Sequence, residues 1–283
     1  MASVESMGFR VWTGRVHQMS GAHRHGDLEV NFAYHAKLTY LFRGRLVAVP
    51  PRRFTVFWAA IPHKLVSIEG RAEMAWITVP LNVLMDWQLP QHLTRALLEG
   101  QFISDVQPQL DDGDRLQRWS EEFAKGSEAL KEIVELETQA RFKRLALSVA
   151  SRGRKPVFNL KASGLEEFAP IEAMAGFMDG HFAEPLRVEE IAAQAGLHPN
   201  YATTLFKRRC GMNLMEYLTL QRVAHAQHLL LAGNKSVLQI SLDSGFGSLS
   251  RFYEAFKKVC GRSPKRFRAA FRHRGPRDRT VPL

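Results

Sequence analysis

The sequence predicts a two-domain α+β protein: an N-terminal β-barrel with flanking helices, followed by an all-α C-terminal domain of two helix-turn-helix units joined by a long helix. Three observations carry the prediction. Apolar residues alternate with period two between Val30 and about Pro80, switch to helical spacing after Asp114, and near the C-terminus fall into a repeat offset by 49 or 50 positions. A chain of 283 residues is long enough for two domains, each with its own core.

Charge divides the chain in the same way. Residues 170–283 hold 17 Lys and Arg against 9 Asp and Glu, while residues 1–169 hold 22 against 19, so most of the net charge of +11 is C-terminal. A basic unit beside a near-neutral one points to a polyanion at one end, either nucleic acid or an anionic surface, unless the charge only solubilises the chain. The first dozen residues lack the apolar core of a secretory leader, and no run approaches the roughly 20 apolar residues of a membrane span, so the expected location is cytoplasmic. Two cysteines, Cys210 and Cys260, suit a reducing compartment and are expected to pack at helix ends, each just before a glycine.

In the N-terminal part Val30, Phe32 and Tyr34 alternate with smaller or polar residues, as do Leu38, Tyr40 and Phe42, then Phe54, Val56 and Trp58. Further strands are expected at 65–68 and 74–79, giving a sandwich or barrel. From Asp114 to about Ser151 the chain reads as helix, with Leu116, Trp119, Phe123, Leu130, Ile133, Val134 and Leu136 as the apolar set, able to join subunits or to cover the barrel. A basic Gly- and Pro-containing stretch starting at Ser151 is expected to be a linker reaching about Ser163. The expected divisions are therefore 1–112 for a sensor domain, 113–165 for a helical dimerisation or linker segment, and 166–283 for the helical repeat.

Within the repeat, Val188, Ile191, Ala192, Ala195 and Gly196 recur as Val237, Ile240, Ser241, Ser244 and Gly245. Phe206, Lys207, Cys210, Gly211 and Tyr217 recur as Phe256, Lys257, Cys260, Gly261 and Phe267. Each copy reads as a two-turn helix stopped by glycine, a short turn holding Leu197 or Phe246, and a second helix, Pro199 to Cys210 or Ser248 to Cys260. The expected inner faces are Ala202, Leu205 and Phe206, and Leu249, Phe252 and Phe256. Between the copies, Asn213 to Leu231 reads as one helix opened by an Asn213 and Glu216 capping pair. Asn213 and Ser263 are matching N-caps, the latter before Pro264.

Helix, turn, helix in that order, with glycine in the turn, is the unit that reads double-stranded DNA. On the outward faces, Asn200, Tyr201, Thr203 and Thr204 of the first copy and Ser248, Ser250, Arg251 and Glu254 of the second suit base edges, although residues such as Tyr201 and Leu249 are more often core than contact. One turn later Lys207, Arg208, Lys257 and Lys258 suit phosphates. Each of these also serves as a solvated helix face. The helical strut would hold both second helices about one turn of B-DNA apart.

These residues resemble the AraC-type regulator DNA-binding domain, notably LRVEEIAAQAGLHPNYATTLFKRRCGMN and SVLQISLDSGFGSLSRFYEAFKKVCGRSPKRFR, with Ser241 where that family usually has alanine. TVFWAAIPHKL and HRHGDLEVN further resemble the amino-terminal half of one member of the family, a sugar-operon regulator. The resemblance implies a cupin-like sensor barrel, a small effector such as a sugar, action beside RNA polymerase as an activator, and a homodimer, with no catalytic function and no cofactor.

His23, His25 and Glu29 are spaced as H-x-H-x-x-x-E, and His63 follows 34 residues after Glu29. Imidazole and carboxylate together suit a divalent transition metal, so a metal-dependent cupin enzyme fused to a DNA-binding domain is the rival reading. The favoured reading has these residues lining an effector pocket without metal, with Asn31 and Trp58 supplying a hydrogen bond and a stacking ring to a sugar. Trp58 alternatively belongs to the barrel core. A third reading, a basic surface-binding adaptor, predicts no sequence preference for its partner.

Overall fold

The computed structural model of the protein describes residues 6–105, 108–150 and 165–272; the expected linker and the last eleven residues lie outside the described residues. Strands β1 (Arg10–Arg15), β2 (Leu28–Ala33), β5 (Thr55–Trp58), β7 (Glu73–Val79) and β8 (Ile103–Ser104) form a sheet in the order β1-β7-β2-β5-β8. Strands β3 (Lys37–Phe42), β4 (Arg45–Val49) and β6 (His63–Glu69) form a second sheet in the order β4-β3-β6, and all pairings are antiparallel.

The expected closed barrel is corrected to two facing sheets. β5 pairs with β2 whereas β6 pairs with β3, so residues 59–62 carry the chain from one sheet to the other and no ladder closes the ring among the described residues. Tyr40 and Phe42 from one sheet meet Phe57 from the other, with Phe102 stacked on Phe57 at 4.6 Å between ring centres. Alternation placed the strands over Val30–Phe42 and Phe54–Trp58. It passed over β1, β4 and the short β8.

Strand β2 is buried on both faces, which explains its near-continuous apolar character. One face meets the second sheet; the other is covered by helices. These are α1 (Leu81–Asp86), α2 (Gln91–Leu98), α3 (Asp112–Ala124) and α4 (Glu128–Ala150). The helical region expected after Asp114 is two helices, separated where Gly126 takes a φ of +76°. Leu116 and Trp119 of α3 and Phe142 and Leu145 of α4 share one core with Val30, Phe32, Val56 and Trp58.

Asp112 and Arg141 fasten α3 to α4 in that core. The guanidinium of Arg141, fully buried, donates to Asp112 at 2.8 Å and to Asp105 at 2.6 Å and lies over the Phe54 ring at 4.4 Å. Burial by itself would ease the proton off Arg141, but the two carboxylates outweigh it and raise its pKa.

The C-terminal part is helical throughout: α5 (Ala169–His181), α6 (Val188–Ala193), α7 (Pro199–Cys210), α8 (Leu214–Ala232), α9 (Val237–Asp243), α10 (Leu249–Cys260) and α11 (Pro264–Arg272). It docks directly on the sheets. Arg43 donates to Asp179 of α5 at 2.7 Å and to the Glu99 carbonyl at 2.6 Å, and the Leu46 amide donates to Glu172 at 2.7 Å. Gly44, at a φ of +69°, sits where an added Cβ would fall 2.2 Å from that of Ala175, so only glycine lets the β3–β4 turn approach α5 this closely.

Candidate nucleic-acid interface and the histidine cluster

Both expected helix-turn-helix units form. In the first, α6 stops before Gly196, at a φ of +64°, and α7 starts with Pro199 in its first turn and ends at Gly211, at a φ of +77°. In the second, α9 leads through Gly245, at a φ of +79°, to α10, which ends at Gly261, at a φ of +69°. Ser263 Oγ accepts from the Arg266 amide at 3.3 Å, as expected of the N-cap before Pro264. Between the units, α8 opens with the expected reciprocal cap: Asn213 Oδ1 accepts from the Glu216 amide at 2.8 Å, and Glu216 accepts from the Asn213 amide at 2.9 Å. Its 19 residues span about 28 Å.

Gly245 holds the second turn against α5's exit. A Cβ there would fall 2.4 Å from the Phe182 carbonyl oxygen and 2.8 Å from the Ala183 Cα. Gly245→Ala is therefore expected to cost about 1–2 kcal/mol in backbone conformation alone and more through the clash. Urea unfolding checks it; a midpoint equal to that of the parent would show that the turn relaxes freely.

Inner faces agree with expectation in part. Ala202, Leu205 and Phe206 are buried, as are Phe252 and Phe256, and Phe246 is buried in its turn while Leu197 is half-buried. Leu249 is corrected: it is 40% exposed, because the helix starts at Leu249 and its first turn projects beyond the core. Tyr201 is 54% exposed and stands on the outward face, not in the core. Cys210 is buried and Cys260 half-buried at their helix ends; burial pushes both thiols up to about 12, which keeps them protonated.

On the outward faces Asn200, Thr204, Lys207, Arg208, Ser250, Arg251, Glu254, Lys257 and Lys258 are exposed, and Thr203 is half-buried. Two hydroxyls have local duties: Thr204 donates to the Asn200 carbonyl at 2.9 Å, and Ser248 Oγ caps α10 by accepting from the Arg251 amide at 3.3 Å. Ser248 therefore precedes α10 instead of starting it. The next turns add exposed cations that the spacing argument did not single out, Arg262, Lys265 and Arg266. Their signal was the basic run after Gly261.

Forty residues separate His23 from His63, yet their rings meet. His23 Nε2 lies 3.1 Å from His63 Nε2, His25 Nε2 lies 3.0 Å from Glu29 Oε2, and His63 Nε2 lies 3.5 Å from the same oxygen. One ligand atom from each of the four residues falls within 4.8 Å of all the others. Glu29 projects from β2 and His63 from the first position of β6, while His23 and His63 exchange backbone hydrogen bonds at 3.0 Å. His25, Glu29 and His63 are buried; His23 is exposed.

Electrostatics sort the four groups. Burial works against charge on Glu29, but hydrogen bonds with His25 and His63 prevail and hold its carboxyl well below the usual range. For His25, too, burial is opposed and overcome, here by Asp27 and Glu29, so its pKa stands at about 9. Its neighbours cover part of the His23 ring, and that local loss of hydration, with His63 alongside, pushes it down to about 4. Asn31 Nδ2 donates to Glu29 Oε1 at 3.1 Å, which leaves Oε2 for the histidines.

Trp58 is corrected. It stands opposite Leu28 in the β2–β5 ladder, whereas Glu29 stands opposite Phe57. Directly paired residues share a face, so Trp58 points to the helices and cannot meet a ligand at Glu29. The ring beside the cluster is Phe57, 4.9 Å from His63, backed by Phe102. The same register would have identified it.

A helix-turn-helix domain family matches residues 191–270, from within α6 into α11. The chain is 29% identical over 259 residues to the melibiose operon regulatory protein of Escherichia coli K12, a match covering 89% of this chain and 84% of that protein. It is 28% identical over 113 residues to the Msm operon regulatory protein of Streptococcus mutans, covering 40% and 41% of the two chains. Identity to the transcriptional activator RhaS of Klebsiella pneumoniae is 30% over 100 residues, 35% of this chain and 36% of that one. Among solved structures, the DNA-binding domain of AdpA in complex with a target DNA is 31% identical, with a TM-score of 0.36, covering 38% of this chain and 96% of that one. Two helix-turn-helix units on one strut, the matching domain family and similarity to an operon regulator along most of its length make this chain similar to the AraC-type DNA-binding transcription regulators.

Proposed function

We propose that the chain seats α7 and α10 in two successive major-groove segments on one side of a duplex, and that a small effector held in the N-terminal domain controls how they are presented. One observation carries the reading: the outward faces of both helices are exposed at the two ends of a strut of about 28 Å. Asn200, Tyr201, Thr203, Thr204, Ser250, Arg251 and Glu254 then meet base edges, and Lys207, Arg208, Lys257 and Lys258 meet phosphates.

Similarity to operon regulators of sugar metabolism supports a sugar-like effector and activation beside RNA polymerase. Ile133, Leu136 and Leu147 form an exposed apolar line on α4 that supports a homodimer through that helix. None of the described helices is long and apolar enough to cross a membrane, which accords with a cytoplasmic site of action.

Footprinting of the full chain on a cognate promoter tests the proposal, with two protected major-groove segments about 10 base pairs apart as the expected result. Arg251→Ala is expected to cost about 1–3 kcal/mol on the cognate duplex and to relax preference at one position. Equal weakening on random and cognate duplexes would remove Arg251 from the base-reading set.

A further inference from the structure

We propose that His23, His25, Glu29 and His63 bind a divalent transition-metal ion, and that its occupancy sets the position of α7 and α10 through the two residues that neighbour these ligands, Lys64 and Ala22, and through Arg24. The inference rests on the reading that the N-terminal domain controls DNA binding. It replaces a purely organic effector with a metal, alone or as the anchor of one.

Ligand chemistry comes first. Metal–nitrogen and metal–oxygen bonds of about 2.0–2.2 Å put neighbouring ligand atoms roughly 3 Å apart. The contacts of 3.0, 3.1 and 3.5 Å within the cluster have that size. His63 Nδ1 lies 3.0 Å from the Ile61 carbonyl and donates to it, so Nε2 is the nitrogen that faces the other three groups and that would hold an ion once its proton is displaced. His25 Nδ1 lies 3.6 Å from Asp27, which Ser6 and the Met7 amide in turn hold at 2.6 Å each. Asn31 fixes the far oxygen of Glu29. Outer partners of this kind orient metal-bound imidazoles and carboxylates. Three imidazoles and one carboxylate suit zinc, iron or nickel over magnesium or calcium, and the exposed edge of His23 leaves a route from solvent.

Connection to the helices follows from the same chain segments. Immediately before His23, the Ala22 amide donates to the Cys210 carbonyl at 3.0 Å; immediately after His63, the Lys64 ammonium donates to the Arg209 carbonyl at 2.6 Å and to the Ser20 carbonyl at 3.1 Å. Both acceptors belong to the last turn of α7, where unsatisfied carbonyls and the helix dipole favour a cation. Gly21 and Gly211 come close enough that a Cβ on Gly211 would sit 3.2 Å from the Gly21 Cα. Arg24, between the two histidines, lines a cleft of about 330 Å³ with Val259, Cys260 and Arg262 at the end of α10. One short segment thus carries two of the ligands and touches the C-terminal ends of both DNA-reading helices. Drawing His23 and His63 onto one ion moves or locks that segment.

The test uses the purified full chain, stripped with chelator, and Zn(II) or Co(II) alone as the probe. The expected result is one ion per chain by mass spectrometry and titration calorimetry, with Co(II) giving the visible absorption of a nitrogen- and oxygen-bound site. His23→Ala, whose ring is exposed, and Glu29→Gln are each expected to lower affinity at least about tenfold. Circular dichroism separates that loss from misfolding. Binding by the parent no tighter than by a folded His23→Ala variant would overturn the metal site. Duplex affinity is then compared with and without metal in the parent and in Lys64→Met. A metal-dependent change in the parent that is lost in Lys64→Met, while metal content stays, is expected. Metal bound without any change in duplex affinity would overturn the coupling, and cognate binding in both states would leave the DNA-binding reading standing apart from it.

Discussion

Arg141→Ala is expected to destabilise the N-terminal domain by about 3–5 kcal/mol, a large share of the roughly 5–15 kcal/mol that holds an ordinary domain folded. Asp105 and Asp112 are each 1% exposed and accept from this guanidinium at 2.6 and 2.8 Å, with Arg115 standing 3.6 Å from Asp112. Removing it takes the fully buried counter-charge away from two carboxylates beside Phe54, Phe142 and their neighbours. Restoring charge balance by replacing all three residues with apolar groups of similar size is expected to recover most of the loss, because the pair's attraction roughly offsets its own desolvation. Urea titrations of the single and triple variants read both effects. A single-variant loss below about 1 kcal/mol would show that water reaches the carboxylates and that α3 and α4 are held by packing alone.

Salt is expected to act on DNA binding with comparable force. Lys207, Arg208, Lys257, Lys258, Arg262, Lys265 and Arg266 are seven exposed cations on or beside the two second helices. If each meets a phosphate, the logarithm of affinity falls with that of salt with a slope of about −6, and a fourfold rise in salt weakens binding by roughly 10³ to 10⁴. Lys257→Ala is expected to make that slope shallower by about 1 and to weaken all duplexes alike. Fluorescence anisotropy at several salt concentrations measures both. A parent slope shallower than about −2 would mean that α7 and α10 do not lie along the backbone together.

Much of the DNA-reading half was legible because its signals are local. A glycine that must turn left-handed, a proline in the first helical turn and a capping pair three residues apart depend on nearby backbone alone, and the glycines do so in both copies. Leu249 was misjudged because helical spacing gives a face but not where the core ends along the axis. Trp58 stood open between a stacking ring and the core for a related reason: alternation separates two faces of a strand without saying which face is covered by helices and which by another sheet. When both are buried, an aromatic residue fits either.

By itself the sequence determined the two-part division, the duplicated helix-turn-helix units, the strut between them and the four residue types of the histidine cluster, since each is encoded over a few turns of chain. Only the tertiary structure decided that the strands make two sheets, that Phe57 and not Trp58 stands beside Glu29, that Arg141 joins two aspartates, and that the segment around His23 abuts the ends of α7 and α10. Those outcomes depend on pairings between residues tens to hundreds of positions apart. Such pairings are selected by packing of the whole core, and no short window of sequence contains both partners.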